Sequence, residues 1–149
     1  MEGETISDNR RNLLVDLERC IGCLACSNIC PASLIQLEDA LRRRSIRFPR
    51  ICEEDCTRCV EACPERAISL VATGAAPGKE PLTVSFDLIA CERCGAPFVT
   101  EPILRKLEKV VPSGQKRDTK GSYWLLLCPG CRQKVEGKRA VLGARPCPV

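Results

Sequence analysis

Short apolar stretches separated by polar turns run along this chain. SLIQL (33–37) and AISLV (67–71) each follow a Cys-Pro pair, and IRF (46–48) lies across a polar turn from IQL. IQL and IRF therefore predict a short pair of strands. No run approaches the roughly 18 apolar residues that a membrane-spanning helix needs. The pattern predicts short strands in the N-terminal half and no transmembrane segment.

The C-terminal half shows a helical period. TEPILRKLEKVV (100–111) predicts a helix that Thr100 caps and that has Pro102 in its first turn. One face of this helix is apolar and carries Ile103, Leu104, Leu107 and Val111. YWLLL (123–127) predicts a strand. ATGAAPGKEP (72–81) is rich in Gly, Ala and Pro, which is typical of a linker.

These patterns divide the chain into four parts. We predict a first domain over residues 13–71, a linker over 72–84, a second small domain over 85–135 and a tail over 136–149.

Composition indicates that thiolate-bound metal stabilises the protein. The 149 residues include 13 Cys but only one Met, one Trp, one Tyr and three Phe, so the aromatic core is small. The polar N-terminus does not resemble a signal peptide, and an odd number of cysteines does not favour a disulfide framework. Because the chain has no His, any zinc site must be all-cysteine. We expect a cytoplasmic metal-binding protein.

The formal charge of +4 is weak evidence for a nucleic-acid partner. A metal centre on four thiolates adds about −2, so three such centres would bring the chain to about −2. Residues 101–139 hold ten Lys/Arg against four Asp/Glu, and residues 42–50 hold five Arg. We interpret these basic stretches as solvated faces.

The cysteines form three groups and a remainder. The first group is Cys20, Cys23, Cys26 and Cys30, followed by Pro31, and the second is Cys52, Cys56, Cys59 and Cys63, followed by Pro64. The third is Cys91, Cys94, Cys128 and Cys131, and Cys147 is predicted to be a free thiol. The first two groups are an internal repeat of about 33 residues.

The first run, C-x2-C-x2-C-x3-CP, resembles that of the two-cluster bacterial ferredoxins over residues 13–71. In that family the fourth cysteine of each run ligates the other cluster. The resemblance implies an α+β unit with two short hairpins and two short helices, in which LLVDLERC forms the first strand. It also implies one-electron transfer through two [4Fe-4S] clusters. The implied ligands are Cys20, Cys23, Cys26 and Cys63 for cluster one, and Cys30, Cys52, Cys56 and Cys59 for cluster two.

The second run departs from this pattern by one residue, because EED (53–55) separates Cys52 from Cys56. We expect the extra residue to bulge outward, with a three-iron or missing second cluster as the alternative. The three acidic residues place negative charge beside cluster two, so we expect it to have the lower potential.

The third group reads CxxCG and CPxC, two knuckles that clamp one tetrahedral metal ion. A structural zinc ribbon is the preferred interpretation. A rubredoxin-like iron and disulfides are the alternatives. The predicted fold class is therefore α+β, a ferredoxin-type unit followed by a small zinc-ribbon or rubredoxin-like unit.

The order of the motifs adds a second resemblance, over about residues 13–135. A ferredoxin unit followed by ACERCGAPF, a helix and CPGC resembles the iron–sulfur electron-transfer subunit of formate hydrogenlyase and related group 4 membrane-bound hydrogenases. That subunit is similar to the two-cluster subunit of complex I. The resemblance implies an electron relay between an electron-input subunit and the hydrogenase small and large subunits, with catalysis in those partners. Attachment to the cytoplasmic face of the membrane within a complex is the alternative to a purely cytoplasmic location.

Three other functions stay open. The iron–sulfur subunit of a molybdenum or tungsten oxidoreductase is the nearest alternative. A diffusible ferredoxin would need only residues 13–71. A nucleic-acid-binding zinc ribbon would usually expose aromatic side chains among its basic residues, whereas Phe98, Tyr123 and Trp124 are expected in the core.

Overall fold

The computed structural model describes residues 11–52, 56–72, 80–113 and 123–143, the last five of these by their backbone alone. The chain forms two units, Met1–Phe86 and Asp87–Val149. None of the described helices is both long and apolar enough to cross a membrane.

The first unit contains two short helices and two sheets. Its elements are β1 (Arg11–Val15), α1 (Ala25–Ile29), β2 (Gln36–Ala40), β3 (Arg43–Phe48), β4 (Ile51–Cys52), α2 (Arg58–Ala62), β5 (Ile68–Ala72) and the start of β6 (Leu82–Ala90). One sheet has the order β4-β1-β5, and the other has the order β2-β3-β6 within this unit. The fold is a mixture of helices and strands, as predicted.

The strand pairs are antiparallel and place apolar residues inside the unit. β1 pairs with β5 from Arg11↔Ala72 to Val15↔Ile68. Leu13, Ile46 and Phe48 are at most 2 % exposed. Burying a side chain of this size contributes about 1.5–3 kcal/mol, so these three anchor the core between the sheets.

The hairpin of β2 and β3 confirms the predicted pairing of IQL with IRF. Gln36 faces Arg47 and Leu37 faces Ile46 in the register. β2 is exposed along its whole length, whereas Ile46 and Phe48 on β3 are buried. The buried side chains of β3 therefore hold the hairpin in place.

The internal repeat has the same backbone shape in both copies. The Ser33 N–H donates to the Cys30 carbonyl at 3.2 Å, and the Arg66 N–H donates to the Cys63 carbonyl at 3.1 Å. Ser33 and Arg66 both have φ 51°, a left-handed conformation that non-glycine residues seldom adopt. Each Cys-Pro pair therefore begins the same tight turn, and each turn directs the chain away from the cysteine loop before it.

The second unit contains the end of β6, one further strand and two helices. These are β7 (Pro97–Thr100), α3 (Glu101–Val110) and α4 (Pro129–Gly143), with a 3₁₀ turn at Trp124–Leu126 before α4. β6 pairs with β7 from Leu88↔Thr100, and the register shifts by one residue between Ile89 and Ala90. Pro97, which has no N–H to donate, lies opposite Ala90 at this irregularity.

α3 confirms the predicted helix. Thr100 stands at its N-cap, but its side chain makes no capping hydrogen bond, while Pro102 lies in the first turn as expected. Leu104 is buried, and the other predicted apolar positions pack against the same core, which includes Val99 and Leu125. The amphipathic pattern was sufficient to predict this helix.

The predicted strand at 123–127 is wrong. Its central residues, Trp124–Leu126, form a 3₁₀ turn in which the Leu126 N–H donates to the Tyr123 carbonyl at 3.0 Å. Leu125 and Leu127 are buried in two different cores of the unit. Consecutive apolar residues can fill two adjacent cores from a turn, and periodicity alone does not distinguish this from a strand.

Two stretches that were predicted to be linker or tail contain regular secondary structure. The last three residues of the predicted linker, 82–84, begin β6, and residues 136–143 of the predicted tail continue α4. Residues 73–79 of that linker lie outside the described residues.

Candidate metal centres

The first cavity of the N-terminal unit is lined by cysteines from both halves of the repeat. Cys20, Cys23 and Cys26 come from the loop before α1 and from α1 itself, and Cys63 comes from the end of α2. The cavity occupies about 320 Å³, including its open mouth. Cys63 lies close enough to Cys20 for its charge to raise the pKa of the Cys20 thiol, although burial is the larger cause.

The second cavity has the reciprocal composition. Cys52, Cys56 and Cys59 line it together with Cys30, and it occupies about 280 Å³ including its mouth. The similar volumes show that the additional residue between Cys52 and Cys56 does not close the second cavity. Residues 53–55 themselves lie outside the described residues. The two lining sets are the two sets that the ferredoxin resemblance implies.

The cavity walls between the cysteines are largely apolar. Ile21, Leu24 and Ile68 line the first cavity, and Leu13 and Ile35 line the second. Burial raises the pKa of the Cys26 thiol to about 12 and also raises the pKa of Cys59. A thiolate is therefore disfavoured at these positions unless a cation shares its charge. Four thiols within an apolar wall are the donor set of a [4Fe-4S] cluster, so the residues fit that cofactor.

Charged residues lie at the second cavity and at the first cysteine loop. Arg58 lines the second cavity. Its positive charge would raise the potential of a cluster there, whereas the acidic sequence at 53–55 is expected to lower that potential. Arg44 donates to the Gly22 carbonyl in the first cysteine loop at 3.4 Å and forms an ion pair with Asp39 at 3.0 Å. Sequence reasoning overlooked both arginines, because the cysteine motif carries no information about the charges around it. The lower potential of cluster two stays a prediction.

The third cysteine group lies within the second unit and is much tighter. The Sγ atoms of Cys91, Cys94, Cys128 and Cys131 all lie within 4.8 Å of one another. The Cys94 and Cys128 sulfurs are 3.7 Å apart. Thiolates at about 2.3 Å from a tetrahedral zinc ion would be about 3.8 Å apart. The group therefore fits a single metal ion and forms a small metal-binding unit.

Two backbone turns present these four sulfurs. Gly95, with φ +73°, donates its N–H to the Cys91 carbonyl at 2.8 Å and closes the first knuckle. No atom lies within 4 Å of the position of a Cβ at Gly95, so the backbone conformation rather than space favours glycine there. The Cys128 N–H donates to the Cys91 sulfur at 3.2 Å and links the two knuckles.

The two buried cysteines of this group differ in acidity. Burial raises the pKa of Cys91, but N–H donors from Cys128, Cys94 and Arg93 outweigh this effect and lower the pKa to about 6. Burial and sulfur neighbours raise the pKa of Cys131 to about 12. A bound dication must therefore displace the proton of Cys131, whereas the N–H donors already favour the thiolate form of Cys91.

No disulfide joins any of the cysteines in the described part of the chain. Cys147 lies outside the described residues, so its prediction as a free thiol is untested.

Sequence reasoning missed one charged neighbour of the third group. Arg132 stacks its guanidinium over the Trp124 ring, with Cζ 4.3 Å from the ring centroid. Burial lowers the pKa of this guanidinium, while the Cys128 and Cys91 sulfurs oppose the shift. The sequence signal that could have pointed to Arg132 is its position directly after Cys131.

Comparison with known families identifies the first two groups. Residues 12–64 match the family model of the 4Fe-4S dicluster domain. This match supports a ferredoxin-like iron–sulfur protein. The matched segment contains all eight cysteines of the two cavities, and it indicates a role in iron–sulfur electron transfer. No curated protein matches the chain.

Proposed function

We propose that the protein is an electron-transfer subunit that relays single electrons through two [4Fe-4S] clusters within a multisubunit hydrogenase of the formate hydrogenlyase type. The observation that supports the relay is the reciprocal lining of the two cavities. Each contains three cysteines of one run and the fourth cysteine of the other. When bound, each cluster would accept and release one electron.

The chain's own residues would position the clusters and exclude water from them. α1 and α2 contact one another, and each ends at a Cys-Pro turn that brings a sulfur to the other helix's cavity. Cys30 and Cys63 therefore tie the two sites to the same pair of helices. This arrangement keeps the two sites close, as a relay requires.

An electron relay needs no catalytic group in this chain. Without histidine the chain has no imidazole for acid–base chemistry, and the described cavities are lined by thiols and mainly apolar side chains. We therefore place catalysis in partner subunits. The third cysteine group would hold a structural zinc ion, with a rubredoxin-like iron as the alternative.

The hydrogenase assignment rests on the order of motifs in the sequence, with ACERCGAPF and CPGC following the ferredoxin unit. We place the protein in the cytoplasm, with attachment through its partners to the cytoplasmic face of the membrane as the alternative. The nearest alternative is the same relay in a molybdenum or tungsten oxidoreductase.

Two measurements test the two levels of this proposal. Reductive titration of the anaerobically purified full chain should take up two electrons, and paramagnetic resonance should show two interacting centres. A protein that takes up none would not be a relay. Affinity purification from the native source should recover a complex that contains nickel and evolves hydrogen. A complex with molybdenum or tungsten instead would contradict the hydrogenase assignment while leaving the relay intact.

A further inference from the structure

Arg132 follows Cys131 in the first turns of α4, yet its side chain lies against the core. Its guanidinium carbon is 4.3 Å from the Trp124 ring centroid and 5.8 Å from that of Phe98. Nη2 donates to the Leu125 carbonyl at 3.1 Å. Phe98 in turn packs against the cluster of buried residues that contains Cys91 and Cys131. A permanent positive charge is thus fixed beside the third cysteine group.

The hydrogen bonding of this arginine is incomplete. Nε of Arg132 is buried and has no hydrogen-bond partner, and no other buried side-chain nitrogen or oxygen in the described residues shares this state. A buried donor on a charged group is costly unless opposite charge compensates for it. The sulfurs of Cys128 and Cys91 lie close enough to this guanidinium to influence it.

We propose that Arg132 is the built-in counter-charge of the third metal site. Four thiolates around one divalent ion carry a net charge of about −2, which the guanidinium would halve. The stack on Trp124 and Phe98 holds this partly buried charge in place, where water screens it less than a fully exposed charge. Arg132 is a positioning residue that acts through the thiolates and does not ligate the metal.

The test compares two substitutions in the full chain with both clusters in place. Arg132→Met keeps the length and apolar contacts of the side chain but removes the charge, whereas Arg132→Lys keeps the charge without the planar fork. The third site is emptied with a chelator under anaerobic conditions and titrated with zinc against a competing chelator. We expect Arg132→Met to bind zinc about 10- to 100-fold more weakly, as is usual when an outer partner of a metal site is lost. Arg132→Lys should retain most of the affinity.

A spectroscopic readout separates charge from packing. Cobalt in the emptied site gives a thiolate-to-metal charge-transfer band, and a nearby positive charge stabilises the thiolate electrons and raises the energy of that band. The band should move to lower energy in Arg132→Met and stay near its original position in Arg132→Lys. The fluorescence of Trp124, the single tryptophan of the chain, reports whether the local core is intact.

Arg105→Met is the matched control, because Arg105 is an exposed arginine of the same unit that pairs with Glu101 at 2.6 Å. It should change neither the zinc affinity nor the cobalt band. The proposal would be overturned if Arg132→Met bound zinc with wild-type affinity. It would also be overturned if Arg132→Met and Arg132→Lys lost zinc affinity equally. A loss of the same size in Arg105→Met would also overturn it. Failure of the wild-type third site to bind zinc or cobalt would overturn it too, without affecting the proposed relay through the two clusters.

Discussion

At the scale of single residues, the two Cys-Pro turns determine which sulfurs meet. Cys30 and Cys63 have nearly identical backbone angles, φ −68° and ψ 112° against φ −75° and ψ 110°. Each lines the cavity whose other three cysteines belong to the opposite run. Substituting these two residues therefore tests whether each cluster takes its fourth ligand from the other run.

We predict that Cys30→Ser damages the cluster held mainly by Cys52, Cys56 and Cys59, and that Cys63→Ser damages the other one. A serine oxygen is a harder and poorer ligand for iron than a thiolate. Paramagnetic resonance of each reduced variant should show one isolated centre in place of two interacting ones. Cys147→Ser serves as the control and should leave both centres intact.

The double variant Cys30→Ser with Cys23→Ser separates the two models of ligation. Crossed sets require that both clusters are damaged, since the two cysteines face different cavities. If only one cluster were lost, the fourth cysteine would belong to its own run and the crossed ligand sets would be wrong.

At the scale of elements, the helices of the first unit are too short to be stable by themselves. α1 and α2 have five residues each and no side-chain capping hydrogen bond. Isolated helices below about 12 residues are marginal in water. Each helix carries one buried cysteine, Cys26 or Cys59, so metal ligation is expected to hold both in place.

We therefore predict that removing iron unfolds these two helices selectively. After chelation of the iron, the amides of Ala25–Ile29 and Arg58–Ala62 should lose protection from hydrogen exchange. α3 has ten residues, an apolar face and its own core, and should keep its protection. Equal loss in all three helices would show that the clusters stabilise the whole chain, and no loss would show that the helices do not depend on them.

The elements also show what could be predicted from the sequence. Local patterns were sufficient for the β2–β3 hairpin and α3, since each depends on residues within about a dozen positions. The pairing of β1 with β5 joins strands more than 50 residues apart, and no local pattern specifies it. The 3₁₀ turn at Trp124–Leu126 depends on which core each side chain enters. The stack of Arg132 is equally a product of tertiary contact.

The cysteine groups were more predictable than the elements that carry them. The 33-residue spacing from Cys26 to Cys59 and from Cys30 to Cys63 indicated an internal repeat, and the resemblance to the two-cluster ferredoxins implied the reciprocal grouping before any fold was known. The charges around the groups could not be obtained in this way. Arg44 and Arg58 reach the cysteine loops and cavities through contacts that the motif does not encode.

At the scale of the whole molecule, the two units have separate cores. Leu13, Ile46 and Phe48 belong to the core of the first unit, whereas Cys91 and Cys131 belong to the second. The cysteines lining the first two cavities and those of the third group likewise belong to different units. Each unit should therefore depend on its own metal.

We predict about eight iron and one zinc per chain in anaerobically purified protein, from two four-iron clusters and one zinc ion. Cys91→Ser removes a buried ligand that also accepts the Cys128 N–H, so it should release the zinc and destabilise the second unit. The visible absorbance of the clusters should stay nearly unchanged, because their ligands lie in the other unit. Metal analysis, limited proteolysis and absorbance on the same sample measure the three effects together. About nine iron with no zinc would contradict the zinc assignment, and bleaching of the clusters in Cys91→Ser would show that the units depend on one another.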